Sequence, residues 1–203
     1  MHSKISDYQL EEGGAKPAPT HHIYFKEVKS SLDRILCDKL VIKYHKYRAQ
    51  AKRPGRRIDF LIYYNHDLIG AIGAANNYTL NPPRCVTSYC RLSKIMKERI
   101  NETNRLNVVV ELYRYTLIKT MKISSKIINL FTKVMRKAWY KKYKVTPKYI
   151  LTFCKHPYNG FCYRAAGWEL IGLTKGTGSW TPNPLGKIDI FKGQRLRIWI
   201  KTI

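Results

Sequence analysis

The feature of the sequence that most constrains the fold is a strand-like stretch followed closely by a long amphipathic helix. Residues 108–118 are β-branched and aromatic with few breakers, which is typical of a strand. Ser124-Ser125 can begin the helix and Thr146-Pro147 closes it. Lysines and arginines fall largely outside its apolar face. That face comprises Ile127, Ile128, Phe131, Val134, Met135, Ala138 and Trp139.

Other segments alternate between strand and helix patterns on both sides of this unit. Ser30 or Ser31 can cap a helix that runs to Tyr44, and Asn65-His66-Asp67 has the chemistry of a hairpin turn. Short helices are predicted over 92–100 and 158–166. Strands are predicted over 22–28, 58–64, 68–73, 149–154 and 168–173, with a final pair over 188–191 and 196–200. The order predicts an α/β fold, a mixed sheet with helices on both faces.

The size of the chain is that of one ordinary domain. It has 203 residues, of which 44% are hydrophobic and 12% aromatic, enough to bury a core. Its longest apolar runs are only a handful of residues, which argues against a membrane span. Residues 1–20 lack periodicity and predict a flexible tail, so that 21–203 form a single domain.

The charge of the chain is strongly one-sided. Thirty-eight Lys and Arg against 13 Asp and Glu give a net charge of +25, which favours a nucleic-acid partner over an anionic membrane surface. Aromatic residues are interleaved with the basic blocks, as phosphate contact and base stacking require. The alternative is that these basic residues form an ordinary solvated surface and bind no nucleic acid. The predicted DNA contacts are Arg53, Arg56, Arg57, Lys137, Lys141, Lys142, Arg164 and Lys175.

The cysteines and the motifs that are missing exclude several classes of protein. Five cysteines are an odd number and contain no C-x-x-C pair, and no apolar signal segment follows the first residues. These features predict an intracellular protein with free thiols. No H-E-x-x-H, G-x-G-x-x-G or P-loop motif is complete, so zinc and nucleotide sites of those kinds are not supported.

Two places near the long helix contain candidate functional residues. Glu111 lies within an apolar strand, where a carboxylate needs a partner or a function. The alternative is an edge strand on which Glu111 and Arg114 are solvated. The helix beginning at Ser124 presents free N–H groups and a positive dipole end that suit a phosphate, and Lys122 adds positive charge.

Residues 154–168 contain a second group of candidates. His156, Cys162 and Tyr163 bring imidazole, thiol and phenol groups into one turn, and such groups serve as general acids, metal ligands or nucleophiles. A packed aromatic turn is the alternative. His45 ends the first helix and would by itself be a surface histidine.

These residues resemble a known family. The stretch Glu111-Leu112-Tyr113-Arg114-Tyr115, followed by the helix at Ser124, resembles the E-L-x-R strand and serine-containing helix of the Mom proteins of phages. His156 to Trp168, continued to Gly176, is similar to their G-x-x-Y-x-A-x-N-W…G-x-T pattern. It is equally similar to a domain of Druantia-type phage-defence proteins. Tyr44-His45 resembles a His-Tyr pair at the same place in both.

The resemblance implies a GNAT acyltransferase-like fold and a DNA-modifying transferase. Mom-like enzymes convert adenine at N6 to a carbamoylmethyl derivative, which protects phage DNA from restriction nucleases. Double-stranded DNA with a flipped base is then the expected partner. Iron is the expected metal, the donor is unknown, and a dimer is conceivable. A phage-encoded or mobile-element-encoded protein in a bacterial cytoplasm is expected.

The resemblance also implies roles for particular residues. Tyr163, Glu111, Arg114 and Ser124 would be catalytic. The metal ligands would be His45, His156 and Tyr163, and an anionic donor group would bind to Ser124, Ser125 and Lys122.

The sequence departs from the family pattern at three places. His156 stands where an Asp is usual, and Gly167 stands where Asn is usual. Residues 119–123 contain no glycine, which argues against acetyl-CoA as the donor. Two other functions stay open: a non-catalytic DNA-binding component of a defence or mobile element, and a GNAT N-acetyltransferase that uses acetyl-CoA.

Overall fold

The computed structural model describes residues 22–45, 55–76, 109–119, 121–155, 158–173 and 196–203. The segments predicted as a tail (1–20), a short helix (92–100) and a strand (188–191) lie outside these residues. The strands are β1 (Ile23–Glu27), β2 (Arg57–Tyr64), β3 (Asp67–Asn76), β4 (Val109–Leu117), β5 (Tyr149–Cys154), β6 (Glu169–Leu173) and β7 (Arg197–Thr202). The helices are α1 (Ser31–Tyr44), α2 (Ser124–Tyr143) and α3 (Phe161–Ala165).

The strands form a mixed sheet in the order β1-β2-β3-β4-β5-β7-β6. β2 is antiparallel to β1 and to β3, whereas β4 and β5 are parallel. β7 lies between β5 and β6 and runs antiparallel to both. The predicted α/β fold class with a mixed sheet is therefore confirmed.

The described residues belong to two compact units. The first contains residues 22–45, 55–75, 112–119 and 121–144, and the second contains 76, 109–111, 145–155, 158–173 and 196–203. Strand β4 thus contributes its first three residues to the second unit and the remainder to the first. The two units are described separately below.

The first unit is built on the predicted hairpin. Asn65 and His66 both have positive φ (49° and 77°), the conformation that a two-residue turn needs between twisted strands. Ser30 caps α1, because its Oγ accepts a hydrogen bond of 3.1 Å from the Asp33 N–H. The sequence predicted both features, although it left Ser30 and Ser31 open as the cap and included Asp67, the first residue of β3, in the turn.

Helices cover both faces of β2 in this unit. Phe60 packs against Phe131 of α2, with ring centroids 5.9 Å apart. Leu61, the next residue along the strand, belongs to the apolar cluster that contains Cys37 and Val41 of α1. Because successive strand residues point to opposite faces, α1 and α2 lie on opposite sides of the sheet, as predicted.

Helix α2 follows its sequence pattern closely. All seven residues predicted for its apolar face are buried. The helix begins at Ser124 as predicted but ends at Tyr143, before Thr146-Pro147. Lys144 has left-handed backbone (φ 58°), and its N–H bonds to the Tyr140 carbonyl, which terminates the helix earlier.

Helix α1 buries only part of the apolar face that helical spacing predicts for it. The spacing assigns to that face Leu32, Ile35, Leu36, Leu40, Val41 and Tyr44. Leu32 is 78% exposed and Ile35 52% exposed, although both have helical spacing with buried Leu40 and Val41. The stripe that faces the sheet also includes Arg34 and Asp38, whose partners lie on the strands. These charged residues share the inward side with Cys37, Leu40 and Val41, so apolar spacing alone identified only part of that side.

The second unit has its own apolar cluster of Val109, Leu151, Ile171, Ile198 and Ile200. Helix α3 is shorter than the predicted 158–166, because Gly160 precedes it with φ 78°. A Cβ atom at Gly160 would overlap the indole ring of Trp199, so glycine is needed there for space as well as for conformation. No helix within the described residues is long and apolar enough to cross a membrane.

Candidate functional site

The first unit contains a cluster of charged side chains around Asp59, called here the Asp59 cluster. The Asp59 carboxylate is fully buried on β2 and accepts hydrogen bonds from an Arg34 guanidinium N–H and from the Tyr113 hydroxyl. Arg57 Nε lies 3.8 Å from one carboxylate oxygen, and Arg114 Nε lies 4.0 Å from the other. Three guanidinium groups and one phenol thus converge on a single carboxylate.

Arg114, predicted as catalytic, is the most deeply buried cation of this cluster. Its side chain is 2% exposed, and its Nη1 atom lies 3.2 Å from Asp38 Oδ1 on α1. The guanidinium also lies over the Tyr113 ring, 4.5 Å from its centroid. Glu111 is buried too, in the second unit, where it pairs with Leu151. The alternative of a solvated edge strand is therefore wrong, since β4 has a neighbour on each side.

The environment of the cluster shifts the pKa values of its uncharged members. Burial, reinforced by the Asp59 charge, raises the pKa of the Cys37 thiol to about 11. Burial and Asp59 also raise the pKa of Tyr113 well above its ordinary value, so the Tyr113 hydroxyl keeps its proton and donates a hydrogen bond to Asp59. Burial, and then the positive charge of Arg114, lowers the pKa of His45. Each of these three groups is therefore held in its neutral form.

A glycine makes room for the cluster. Gly73 on β3 pairs with Asp59 on β2. A Cβ atom at position 73 would overlap the Asp59 carboxylate and lie 3.0 Å from Cε1 of Tyr113. Asp59 itself was not among the predicted site residues. The signal that singled out Glu111, a rare carboxylate inside an apolar strand, is equally present in Ile58-Asp59-Phe60.

The N-terminus of α2 has the features predicted for an anion site. Its N-cap residue, Ile123, provides no side-chain cap, and no acidic residue lies in the first turn. The first helical bond runs from the Ile127 N–H to the Ile123 carbonyl at 2.9 Å. Ser124 Oγ donates to the Met121 carbonyl, 3.0 Å away. Lys122 and Lys126 are exposed beside this end, which adds their charge to the helix dipole.

Tyr163, the principal predicted catalytic residue, lies in the second unit within an aromatic group. Its ring centroid is 5.3 Å from that of Trp168 and 6.4 Å from that of Trp199. Both tryptophans are 4% exposed, and their indole N–H groups have no hydrogen-bond acceptor within the described part of the chain. The aromatic packing predicted as the alternative is thus present. The catalytic role of Tyr163 stays a prediction.

The iron site that the resemblance implies has no support in the part of the chain that the structure describes. His45 lies in the first unit beside the positive charge of Arg114, which opposes the binding of a second cation. Tyr163 belongs to the second unit, and His156 lies outside the described residues. Within the ranges that the structure describes, no three His, Cys, Asp or Glu side chains come together as ligands.

The predicted DNA contacts fall at several places. Arg56, Arg57 and Lys142 meet around Tyr143 in the first unit. Lys137 and Lys141 lie on the exposed face of α2. In the second unit, the Arg164 guanidinium lies 4.7 Å from the Phe161 ring centroid. Arg53 and Lys175 lie outside the described residues.

Comparison with known proteins identifies the fold. No protein family and no curated protein matches the sequence. Among solved structures, NAA60 of Arabidopsis thaliana in complex with acetyl-CoA is similar with a TM-score of 0.57 and 12% identity, over 90% of this chain and 99% of that one. FeeM, an N-acyl amino acid synthase from uncultured soil microbes, has a TM-score of 0.53 and 12% identity, over 92% and 93%.

A third similar structure names the fold. It is an acetyltransferase assigned to the GNAT family from Desulfovibrio desulfuricans, with a TM-score of 0.52 and 10% identity, over 89% of this chain and 99% of that one. The chain therefore has the GNAT acyltransferase-like fold that the resemblance implied. The more specific resemblance to Mom and Druantia proteins stays a sequence-based prediction.

Proposed function

We propose that this protein is an acyltransferase that transfers an acyl group from a coenzyme A thioester to an amine. The observation that carries the proposal is the segment from β4 to α2, which places an uncapped, lysine-flanked helix N-terminus after a sheet strand within a GNAT-like fold. The Arabidopsis structure of the same fold contains acetyl-CoA. Of the functions that the sequence left open, the GNAT acetyltransferase has the most support.

The missing glycines between Lys119 and Ile123 do not count against this donor. Within the described part of this segment no residue has positive φ, and the turn closes through the Ser124 N–H to the Met121 carbonyl at 3.4 Å. Glycine is therefore not needed for the conformation of the turn. The backbone N–H groups of the first turn of α2 can bind the pyrophosphate, and Lys122 supplies further positive charge.

In this proposal the amine nitrogen attacks the thioester carbonyl carbon, and the carbon–sulfur bond breaks to release the thiolate. The thiolate takes up one proton from a general acid, and the sequence predicts Tyr163 for that role. The attacking nitrogen then loses one proton, which restores the general acid, so the products are an amide and the free thiol of coenzyme A.

The donor site is tested by replacing one backbone N–H. Proline is tolerated in the first helical turn but has no N–H, so Ser125→Pro removes a donor to the pyrophosphate while keeping the helix. We expect acetyl-CoA to bind this variant at least tenfold more weakly than the wild type in isothermal titration calorimetry, since a hydrogen bond to a charged group contributes about 1.5–3 kcal/mol. Ser125→Ala, which keeps the N–H, is the control and should bind like the wild type.

Two outcomes of that titration would contradict the donor assignment. One is equal affinity of Ser125→Pro and Ser125→Ala for acetyl-CoA. The other is the absence of acetyl-CoA binding by the correctly folded wild type.

A second candidate function has DNA as the acceptor, with adenine N6 as the amine that is modified. The net charge of +25 favours it, because an acceptor that is a small molecule or a peptide does not require such an excess. A target amine within duplex DNA would have to be flipped out of the base stack.

The acceptor is tested by nucleoside mass spectrometry of plasmid DNA from cells that express the protein. We expect a new nucleoside with the wild type and none with Tyr163→Phe, and its mass increment identifies the group transferred. Unmodified DNA with a wild type that binds acetyl-CoA would exclude the DNA acceptor and leave acyl transfer to another amine. If the protein binds DNA but neither modifies it nor binds acetyl-CoA, the result would instead indicate a non-catalytic DNA-binding protein.

A further inference from the structure

The outward face of α2 is almost entirely cationic. Eight positions of this helix are exposed, and six of the eight are Lys or Arg. The six cations are Lys126, Lys133, Arg136, Lys137, Lys141 and Lys142. The other two exposed positions are Asn129 and Tyr140, and residues 124–143 contain no Asp or Glu.

This arrangement is unfavourable for an isolated helix. Lys133, Lys137 and Lys141 follow each other at intervals of four residues, so like charges are neighbours along one side of the helix. Within the described part of the chain, none of the α2 lysines or Arg136 forms an ion pair. A solvated helix usually mixes both signs of charge. Among the described residues this face therefore has no counter-charge, and a polyanion would provide one.

A hydrogen-bonded contact extends the cationic face beyond the helix. The Tyr143 hydroxyl accepts from the Arg57 N–H and donates to the Arg57 carbonyl, both at 2.8 Å. Lys142 Nζ also donates to that carbonyl at 3.2 Å. The Arg56 guanidinium lies 5.5 Å from the Tyr143 ring centroid. Arg56 is thus held at the C-terminal end of α2.

The chemistry of this face favours a nucleic acid over a membrane. A helix that binds a lipid surface inserts its apolar side chains, whereas the apolar side of α2, including Phe131 and Trp139, is buried in the protein. Its exposed side offers cations and Tyr140. The cations from Lys126 to Lys142 span about 24 Å at ~1.5 Å per residue, which is long enough to follow several successive backbone phosphates.

We infer that the outward face of α2, together with Arg56, binds the phosphate backbone of duplex nucleic acid. The inference rests on the proposed function and deepens it, because it names the polymer that the enzyme binds. Because the contacts are to phosphates, binding depends steeply on salt and little on base sequence.

The test uses the full chain and a fluorescent 25-base-pair DNA duplex, with affinity measured by anisotropy over a range of salt concentrations. Lys133→Gln, Lys137→Gln and Lys141→Gln are combined in one variant. Its control combines Lys39→Gln, Lys43→Gln and Lys148→Gln, three exposed lysines elsewhere whose replacement removes the same charge. We expect the α2 variant to bind at least tenfold more weakly, with its salt dependence reduced by about 2–3 in slope, since each phosphate contact contributes ~0.9. The control should lose less than threefold.

Equal losses in the two triple variants would overturn the inference, because net charge rather than this face would then determine binding. Wild-type affinity of the α2 variant would overturn it too, as would binding to phosphatidylserine vesicles but not to the duplex. Acetyl-CoA titration of the same α2 variant separates this result from the proposed function. Unchanged donor affinity alongside lost DNA binding confirms the two sites independently, and failure of donor binding in every variant contradicts only the acyltransferase.

Discussion

Helices α1 and α2 of the first unit pack on opposite faces of the sheet and turn different kinds of side chain towards it. The inward side of α2 is apolar, with Phe131 against Phe60 and Phe25. The inward side of α1 combines apolar Cys37, Leu40 and Val41 with charged residues. Its Arg34 and Asp38 contact Asp59 and Arg114 on the strands. On the outward sides, α2 exposes mainly cations, whereas α1 exposes large apolar residues beside its lysines. The exposed apolar residues of α1 are Leu32, Ile35, Leu36 and Ile42.

The difference shows that the two helices contact the sheet in two ways, which differ in how well they tolerate side-chain substitution. Apolar packing is non-directional, so a side chain of similar size can replace another at modest cost. A buried charge cluster is directional, because each group depends on partners at fixed positions. The α1 side should therefore be sensitive to changes that leave volume unaltered, and the α2 side should not.

The largest effect is expected from Asp59→Asn, which keeps the shape of the side chain but removes the charge that faces Arg34, Arg57 and Arg114. We expect a loss of about 3 kcal/mol or more in the free energy of unfolding, since uncompensated buried cations are costly. Urea denaturation measures it. Phe131→Leu on the α2 side is the control, with an expected loss of about 1.5 kcal/mol or less. Similar losses for both variants would show that the two helices do not differ in this way.

A smaller effect is expected from His45 at the end of α1. Its pKa is lowered in the folded protein, so below about pH 6.5 the unfolded state binds more protons and the folded state loses stability as the pH falls. His45→Gln should weaken this dependence between pH 7.5 and pH 5, by no more than about 2 kcal/mol, since one titrating group contributes about 1.4 kcal/mol for each pH unit below its ordinary pKa. Urea midpoints at the two pH values measure the change. His22→Gln, at an exposed position, is the control, and an equal change in both variants would contradict the assignment to His45.

The sequence predicted most of the fold because the signals concerned are local. The Ser30 cap, the Asn65-His66 turn, the β4 strand and the α2 face each depend on residues a few positions apart. Prediction was less accurate at helix ends, where one backbone conformation, as at Lys144 or Gly160, decides the boundary.

The candidate site was predictable only in part. Arg114 and Glu111 were found because a charge inside an apolar strand is conspicuous, and both are buried. Asp59 has the same signal but was not selected, and Arg34 and Asp38 have none, because a charged residue on a helix is ordinarily solvated. Their importance depends on partners 25 and 76 residues away in the chain.

The sequence by itself determined the succession of elements, the excess of positive charge and the two faces of α2, because these follow from residue order and composition. Tertiary structure alone decided which side of α1 faces the sheet and which charges surround Asp59. An amphipathic pattern states only that a helix has two sides, whereas the partner across the interface decides which side is buried. At α1 the sheet presents both an apolar surface and the Asp59 carboxylate, so the side that is buried combines Cys37 and Val41 with Arg34.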